Sequence, residues 1–185
     1  MATLGFVSTL GLSLLFTLHA PFSAPASDAV TGVAAGKVAP AVTEIRIDKS
    51  DHTLKLMAGK DVVKTYKVAI GSGGMGAKKY EGDMTTPTGT YKVAGRFKGL
   101  YHQFLNVSYP NDEDKKRYAA LKAKGGVPAG RSVGFGIGIH GTGQKAWNGV
   151  HKLTDWTAGC IALDDAEIDE VSGLVKDGTT IVITD

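Results

Sequence analysis

The chain has 185 residues, 43% of them hydrophobic, and a net charge of +3 from 21 basic and 18 acidic side chains. The two signs are interspersed, with only short runs such as Lys115-Lys116-Arg117, so the charge pattern describes a solvated surface and excludes a nucleic-acid patch. A mildly basic surface suits an anionic cell-envelope polymer.

The first segment, Leu4 to Ala20, is apolar and lacks Asp, Glu, Lys and Arg, and a Pro/Ala/Ser stretch, Pro21 to Ser27, follows it. This pattern predicts a secretory signal over residues 1–26: an apolar run too short to span a bilayer, then small residues at Ala24-Pro25-Ala26. The usual basic start is missing, since no Lys or Arg precedes Lys37. Residues 27–41 read as a flexible tether, which leaves residues 42–185 for one domain with a real core and not for two.

From Glu44 the pattern changes to alternation. Glu44 to Asp48 and Thr53 to Leu56 each read as a half-buried strand, and Val62 to Ile70 as a third, making an antiparallel meander. Gly71-Ser72-Gly73-Gly74-Met75-Gly76 matches a dinucleotide-binding fingerprint letter for letter, but no apolar-periodic helix follows it, so a mobile loop is expected. Thr86-Pro87-Thr88-Gly89 is a turn into a strand, and Phe104 to Tyr109 is another strand. Asp112 to Lys124 has acidic residues first, basic ones later, and Gly125-Gly126 as a stop, which predicts a helix. A Gly-rich strand, Val133 to Ile139, delivers His140; Asp164 caps a second helix running to about Val175, and Thr179 to Thr184 is a final strand. The expected fold is mainly β with two or more α-helices.

Cysteine usage is the most informative count. An exported chain normally pairs its cysteines, yet this one has a single Cys, Cys160, which cannot form an internal bridge and is exposed to oxidation outside the cell. A buried hydrophobe is the ordinary alternative. A thiol becomes a useful nucleophile when a neighbour takes its proton, and histidine is the usual partner. His140 in Ile139-His140-Gly141-Thr142 and Cys160 in Thr157-Ala158-Gly159-Cys160-Ile161 both sit at Gly-rich reversals after apolar runs. The Gly159 and Cys160 amides are candidate oxyanion donors, one such donor being worth roughly 3 kcal/mol of transition-state stabilisation. His151 is the rival base, in a stretch that reads as an exposed loop. A working nucleophile of this kind is expected to be a low-pKa thiolate. No short ligand pair of zinc-site spacing occurs, so no metal is expected. Gly130-Arg131-Ser132-Val133-Gly134 has the letters of a nucleophile elbow without the strand before it or the helix after it.

Taken together, His140-Gly141-Thr142 and Thr157-x-Gly159-Cys160-Ile161 resemble the catalytic signature of the bacterial L,D-transpeptidase family. The resemblance continues upstream in Gly82-Asp83-x-Thr85-Thr86-Pro87-x-Gly89-x-Tyr91 and Asn106-Val107-Ser108-Tyr109-Pro110-Asn111, and covers about Val42 to Asp185. It implies a β-sandwich catalytic domain acting outside the cytoplasmic membrane on peptidoglycan stem peptides, with no cofactor, no nucleic-acid partner and no stable membrane insertion after processing. By the same resemblance, Cys160 attacks the carbonyl of the third stem residue and expels the terminal D-alanine. An amine then resolves the thioester: a neighbouring stem, a wall-linked lipoprotein or a free amino acid. His140 serves as base, oriented by a backbone carbonyl. Gly159 holds the oxyanion, Thr157 lines the site, and Gly141 and Thr142 belong to the substrate-binding surface.

One departure matters. Many members place an arginine two residues after the cysteine, where this chain has Ala162. Alanine cannot hold a carboxylate with a guanidinium fork, so hydrolysis of the thioester, by an L,D-carboxypeptidase or amidase of the same fold, is the alternative. A non-catalytic envelope or wall-binding protein is the second alternative. The leader is expected to be removed on export; N-terminal sequencing of the secreted protein then begins near Ser27, and a chain beginning at Met1 contradicts the reading.

Overall fold

The computed structural model describes residues 40–185. The expected leader, and the expected tether apart from Pro40 and Ala41, lie outside the described residues. In chain order the elements are β1 (Glu44–Asp48), β2 (Thr53–Ala58), β3 (Asp61–Lys67), β4 (Gly89–Gly99), β5 (His102–Val107), α1 (Asp112–Ala123), β6 (Gly138–His140), β7 (Ile161–Ala162), α2 (Asp165–Leu174) and β8 (Thr180–Thr184). Two short 3-10 turns, Lys145–Trp147 and His151–Leu153, fill the stretch between β6 and β7.

Alternation produces the strands. In β1, Ile45 and Ile47 point inward with Arg46 between them facing out, and in β8 Ile181 and Ile183 point inward with the half-buried Val182 between them on the other face. The expected meander of β1, β2 and β3 is antiparallel, and β8 returns from the far end of the chain to lie parallel beside β1. The strand order is β3-β2-β1-β8-β4-β5-β6-β7.

The long strand β4 serves two partners. Its first residues, Gly89 to Lys92, pair with β8; from Val93 onward it pairs with β5, with a register shift between Val93 and Gly95. A bulge of this kind bends a strand and raises its twist, which turns the sheet over on itself. The two ends then meet: Ala69 and Ala162 exchange both backbone hydrogen bonds, at 3.1 and 2.8 Å, so the segment after β3 closes onto β7. The enclosed core contains Leu54, Leu56, Tyr91, Leu105, Ile139, Ile161 and Leu163, joined by Ile168 and Val171 of α2.

The helices are attached differently. α2 packs its apolar side on β5 and β6 and is capped where Glu167 accepts from the Asp164 amide at 2.9 Å. α1 is strongly charged in its first half, and its one buried side chain is Asp114, which accepts from the Asn111 amide and the Tyr91 hydroxyl, each at 3.0 Å.

Two expectations are corrected. Val133 to Ile139 is not a strand over its length, since only Gly138–His140 pairs, because Gly134 and Gly136 have φ of 92° and 71°, outside the extended region. The Gly71–Gly76 segment is not a loose loop at its start. A side chain on Gly71 would lie 2.1 Å from the Met84 carbonyl and one on Gly73 2.1 Å from that of Asp83, so glycine here allows backbone to touch backbone.

β8 is the strand through which the two parts of the sheet communicate. Ile181→Ala removes a fully buried side chain there and is expected to lower unfolding free energy by about 2–5 kcal/mol, read by urea denaturation; a loss under about 1 kcal/mol contradicts this packing.

Candidate active site

β6 and β7 run side by side in parallel register, Ile139 opposite Ile161 and His140 opposite Ala162. Cys160 therefore enters β7 level with Gly138 at the start of β6, and His140 ends β6 opposite Ala162, two residues further along. Both line one cleft of about 380 Å³, with Met84, Tyr101, Phe104, Gly136, Trp156, Thr157 and Ala158.

The imidazole is held on several sides. His140 Nδ1 lies 2.6 Å from the carbonyl oxygen of Gly141, which only accepts, so Nδ1 carries the proton and Nε2 is left as the basic nitrogen. The ring lies parallel to Phe104 at 5.7 Å, close to Tyr101 at 4.6 Å, and edge-on to Trp156 at 6.0 Å. Phe104 reaches this position because residue 138 is glycine; a Cβ there would stand 2.1 Å from the ring.

The cysteine sits on a braced turn. The Thr157 hydroxyl donates to the Cys160 carbonyl at 2.7 Å and accepts from the Gly159 amide at 3.2 Å. Gly159 has φ of 126°, and a side chain on it would meet the Thr85 carbonyl at 2.8 Å, so this position accepts only glycine. Thr86 ties the Thr85-Thr86-Pro87 segment to the turn, donating to the Cys160 carbonyl at 3.4 Å and accepting from the Gly71 amide at 2.8 Å. The thiol lies 3.6 Å from the Gly136 carbonyl.

Burial lowers the proton affinity of His140, partly opposed by the bond to Gly141 and reinforced by nearby His151. Burial also pushes the Cys160 thiol up, opposed by the Gly138 amide and by the charge of Lys78. The resting pair is thus a neutral thiol beside a neutral imidazole, not the low-pKa thiolate expected from the sequence. Desolvation of both groups is the physical reason. Lys78 is itself buried and bound to Asp83 at 2.6 Å. Burial tends to raise the Asp83 carboxyl, but Lys78 and the Lys79 and Thr85 amides overcome this and hold it below the ordinary range.

The expected site residues separate into distinct places. Thr157 lines the cleft and braces the turn, while the Gly159 amide is engaged inside the turn by Thr157 and is not turned to the cleft as an oxyanion donor. Gly141 supplies the carbonyl that orients His140. Thr142 is buried and bound to Asp165, Gln144 and Asn148, and is not among the cleft-lining residues. His151 is buried, not exposed: its Nε2 lies 3.1 Å from Asp164 and its ring stands edge-on to Trp156. It borders a neighbouring hollow with Trp147 and Val150, and of these two histidines His140 is the one that shares the cleft with Cys160. Ser132 donates to Glu81 at 2.6 Å in an exposed position, unlike an elbow nucleophile. Ala162, fully buried in β7, offers no charge to a substrate. Among the described residues, no three His, Cys, Asp or Glu side chains come together to hold a metal.

Tyr101, Phe104, Trp156 and Met84 were not foreseen as walls of the cleft. Phe104 carried a signal: Leu105 and Val107 alternate into the core, which puts Phe104 on the opposite face, where a large apolar ring needs another reason to be.

The family model of the YkuD L,D-transpeptidase catalytic domain matches residues 43–183. Among solved structures, the chain resembles the helical cell shape determining protein Pgp2 of Campylobacter jejuni at 24% identity and a TM-score of 0.56, over 77% of this chain and 47% of that one. Bd1075 of Bdellovibrio bacteriovorus is similar at 23% identity and a TM-score of 0.54, over 78% and 48%. An L,D-transpeptidase from Xylanimonas cellulosilytica aligns at 16% identity and a TM-score of 0.50, over 77% and 60%. These likenesses are of fold, and the chain spans between about half and three-fifths of the length of those chains. No curated protein sequence matches.

A raised thiol pKa means that less thiolate exists at neutral pH than for an ordinary cysteine, and that the fraction grows only above the ordinary thiol range. Iodoacetamide alkylation of Cys160 is therefore expected to be slow at pH 7 and to accelerate only as pH rises above the ordinary thiol range; fast labelling that is flat from pH 6 upward contradicts the neutral pair.

Proposed function

We propose a cysteine acyltransferase activity on peptidoglycan stem peptides, from one premise: the chain belongs to the L,D-transpeptidase catalytic domain family. The observation that carries the proposal is the placement of His140 at the end of β6 and of Cys160 in the turn leading into the neighbouring parallel strand β7, both opening on one aromatic-walled cleft, with Nδ1 committed to the Gly141 carbonyl.

The chemistry follows from the neutral pair. As the substrate carbonyl reaches sulfur, His140 Nε2 takes the thiol proton and the S–C bond forms. The charge that develops on the carbonyl oxygen is met by the Cys160 amide, since the Gly159 amide is engaged by Thr157. The C–N bond to the terminal D-alanine then breaks, and His140 returns its proton to the departing amine. An incoming amine attacks the thioester, gives a proton to His140 and expels the sulfur, which recovers that proton. The acceptor is a second stem, a lipoprotein lysine or an amino acid, and the protein works in the cell envelope in wall remodelling.

Hydrolysis is the second reading, favoured by Ala162. With no guanidinium at that position, nothing there selects a carboxylate-bearing peptide, and water resolves the same thioester. The fold likeness to a cell shape determining protein suits a role in trimming or joining stems.

Cys160→Ala is expected to abolish D-alanine release while the protein melts as the wild type does, and His140→Ala to slow release by about two to four orders of magnitude. Mass spectrometry of muropeptides incubated with the protein distinguishes joined stems (transfer) from shortened or released ones (hydrolysis). D-alanine release by Cys160→Ala, or a greater loss in His151→Ala than in His140→Ala, contradicts the assignment.

A further inference from the structure

His140 is oriented by a peptide, and that peptide is itself held. The Gly141 carbonyl accepts from His140 Nδ1 at 2.6 Å, and the amide of the same peptide unit, Thr142 N–H, donates to Asp165 Oδ1 at 2.8 Å. The unit is trans, since the cis bond among the described residues is Tyr109-Pro110. In a trans peptide C=O and N–H point in opposite directions. Imidazole and carboxylate therefore sit at the two ends of one peptide dipole.

The carboxylate is built into this position. Asp165 Oδ1 also accepts from the Gly143 amide at 3.0 Å and the Thr142 hydroxyl at 3.3 Å, and the Asp165 amide donates to Asn148 Oδ1 at 3.1 Å. Asp165 opens α2, where the helix dipole favours a negative charge. Residue 141 has no room for anything but hydrogen on its Cα, because a Cβ would lie 2.5 Å from Asp165 Oδ1. A hydrogen bond at the N–H end of an amide strengthens the carbonyl at the other end as an acceptor, because such chains polarise one another. The gain is largest when the imidazole is charged.

We propose that Asp165 is the positioning acid of His140, acting through the Gly141–Thr142 peptide: it fixes the ring and favours the imidazolium formed when Cys160 loses its proton. The acidic member that a Cys-His site often places directly on the histidine is here, one peptide away. The kinetic consequence rests on the acyl-transfer reading; the effect on the imidazole does not.

Asp165→Asn separates charge from shape, because an amide oxygen still accepts from Thr142 and Gly143. The direct test is an NMR titration of the His140 imidazole in the intact protein, with the other groups around it unchanged: Cys160 across the cleft, His151 behind it and Tyr101 against its ring. Asp164 and Lys152, which face each other beside Asp165, also stay in place. Removing a charge that favours imidazolium lowers the midpoint, by an expected half pH unit or so, about threefold in proton affinity. D-alanine release is expected to fall about three- to tenfold in Asp165→Asn and further in Asp165→Ala. An unmoved His140 midpoint in folded Asp165→Asn overturns the proposal, leaving Asp165 as a loop clamp only. A lowered midpoint in a protein that never releases D-alanine, wild type included, upholds Asp165 as the positioning acid and counts instead against the acyl-transfer reading. Asp165→Ala needs no special rescue if it fails to fold, because Asp165→Asn carries the test alone.

Discussion

The structure depends on the closure of a bent sheet at the pair Ala69 and Ala162. Two backbone hydrogen bonds there join the segment leaving β3 to β7. Neither residue has a side chain that could keep the strands apart, and both are buried. Closure fixes β7 beside β6, and the parallel register of those two short strands brings His140 and Cys160 to one cleft. Ala162 is thus explained first by packing. Its smallness belongs to the joint of the fold, and the absence of a charge in the cleft comes with it.

Burial sets the electrostatics of the site. A desolvated imidazole and a desolvated thiol both favour their neutral forms. Such a pair has no charge to stabilise before substrate arrives, and proton transfer accompanies attack. What the protein supplies in advance is geometry: a tautomer fixed by the Gly141 carbonyl, a ring set among Phe104, Tyr101 and Trp156, and a turn braced by Thr157 and Thr86. An uncharged resting thiol also withstands oxidation better than a thiolate does, since oxidation follows thiolate character.

Much of this was legible in the sequence, and the physical reasons are specific. β1 and β8 each send two isoleucines inward at alternate positions, and the helices carry local signals in the acidic start and Gly125-Gly126 stop of α1 and the Asp164 cap of α2. The mainly β fold with two helices follows from those elements. Cys160 and His140 stood out because a lone thiol beside glycines has few structural uses. What the sequence could not show depends on contacts between distant residues. The Ala69–Ala162 bridge has no pattern of its own. The burial of His151 comes from Asp164 and Trp156, and its local sequence reads as a loop. The Gly159 amide looked free to bind an oxyanion because nothing local indicates that the Thr157 hydroxyl turns back to take it.

The central claim is that Cys160 carries the acyl group. Rapid-quench mass spectrometry of the protein mixed with a synthetic stem tetrapeptide tests it most directly. The account predicts a transient mass increase equal to the peptide acyl group without its D-alanine, mapped to the fragment containing Cys160. D-alanine release with no such adduct, or with the adduct on another residue, would contradict it.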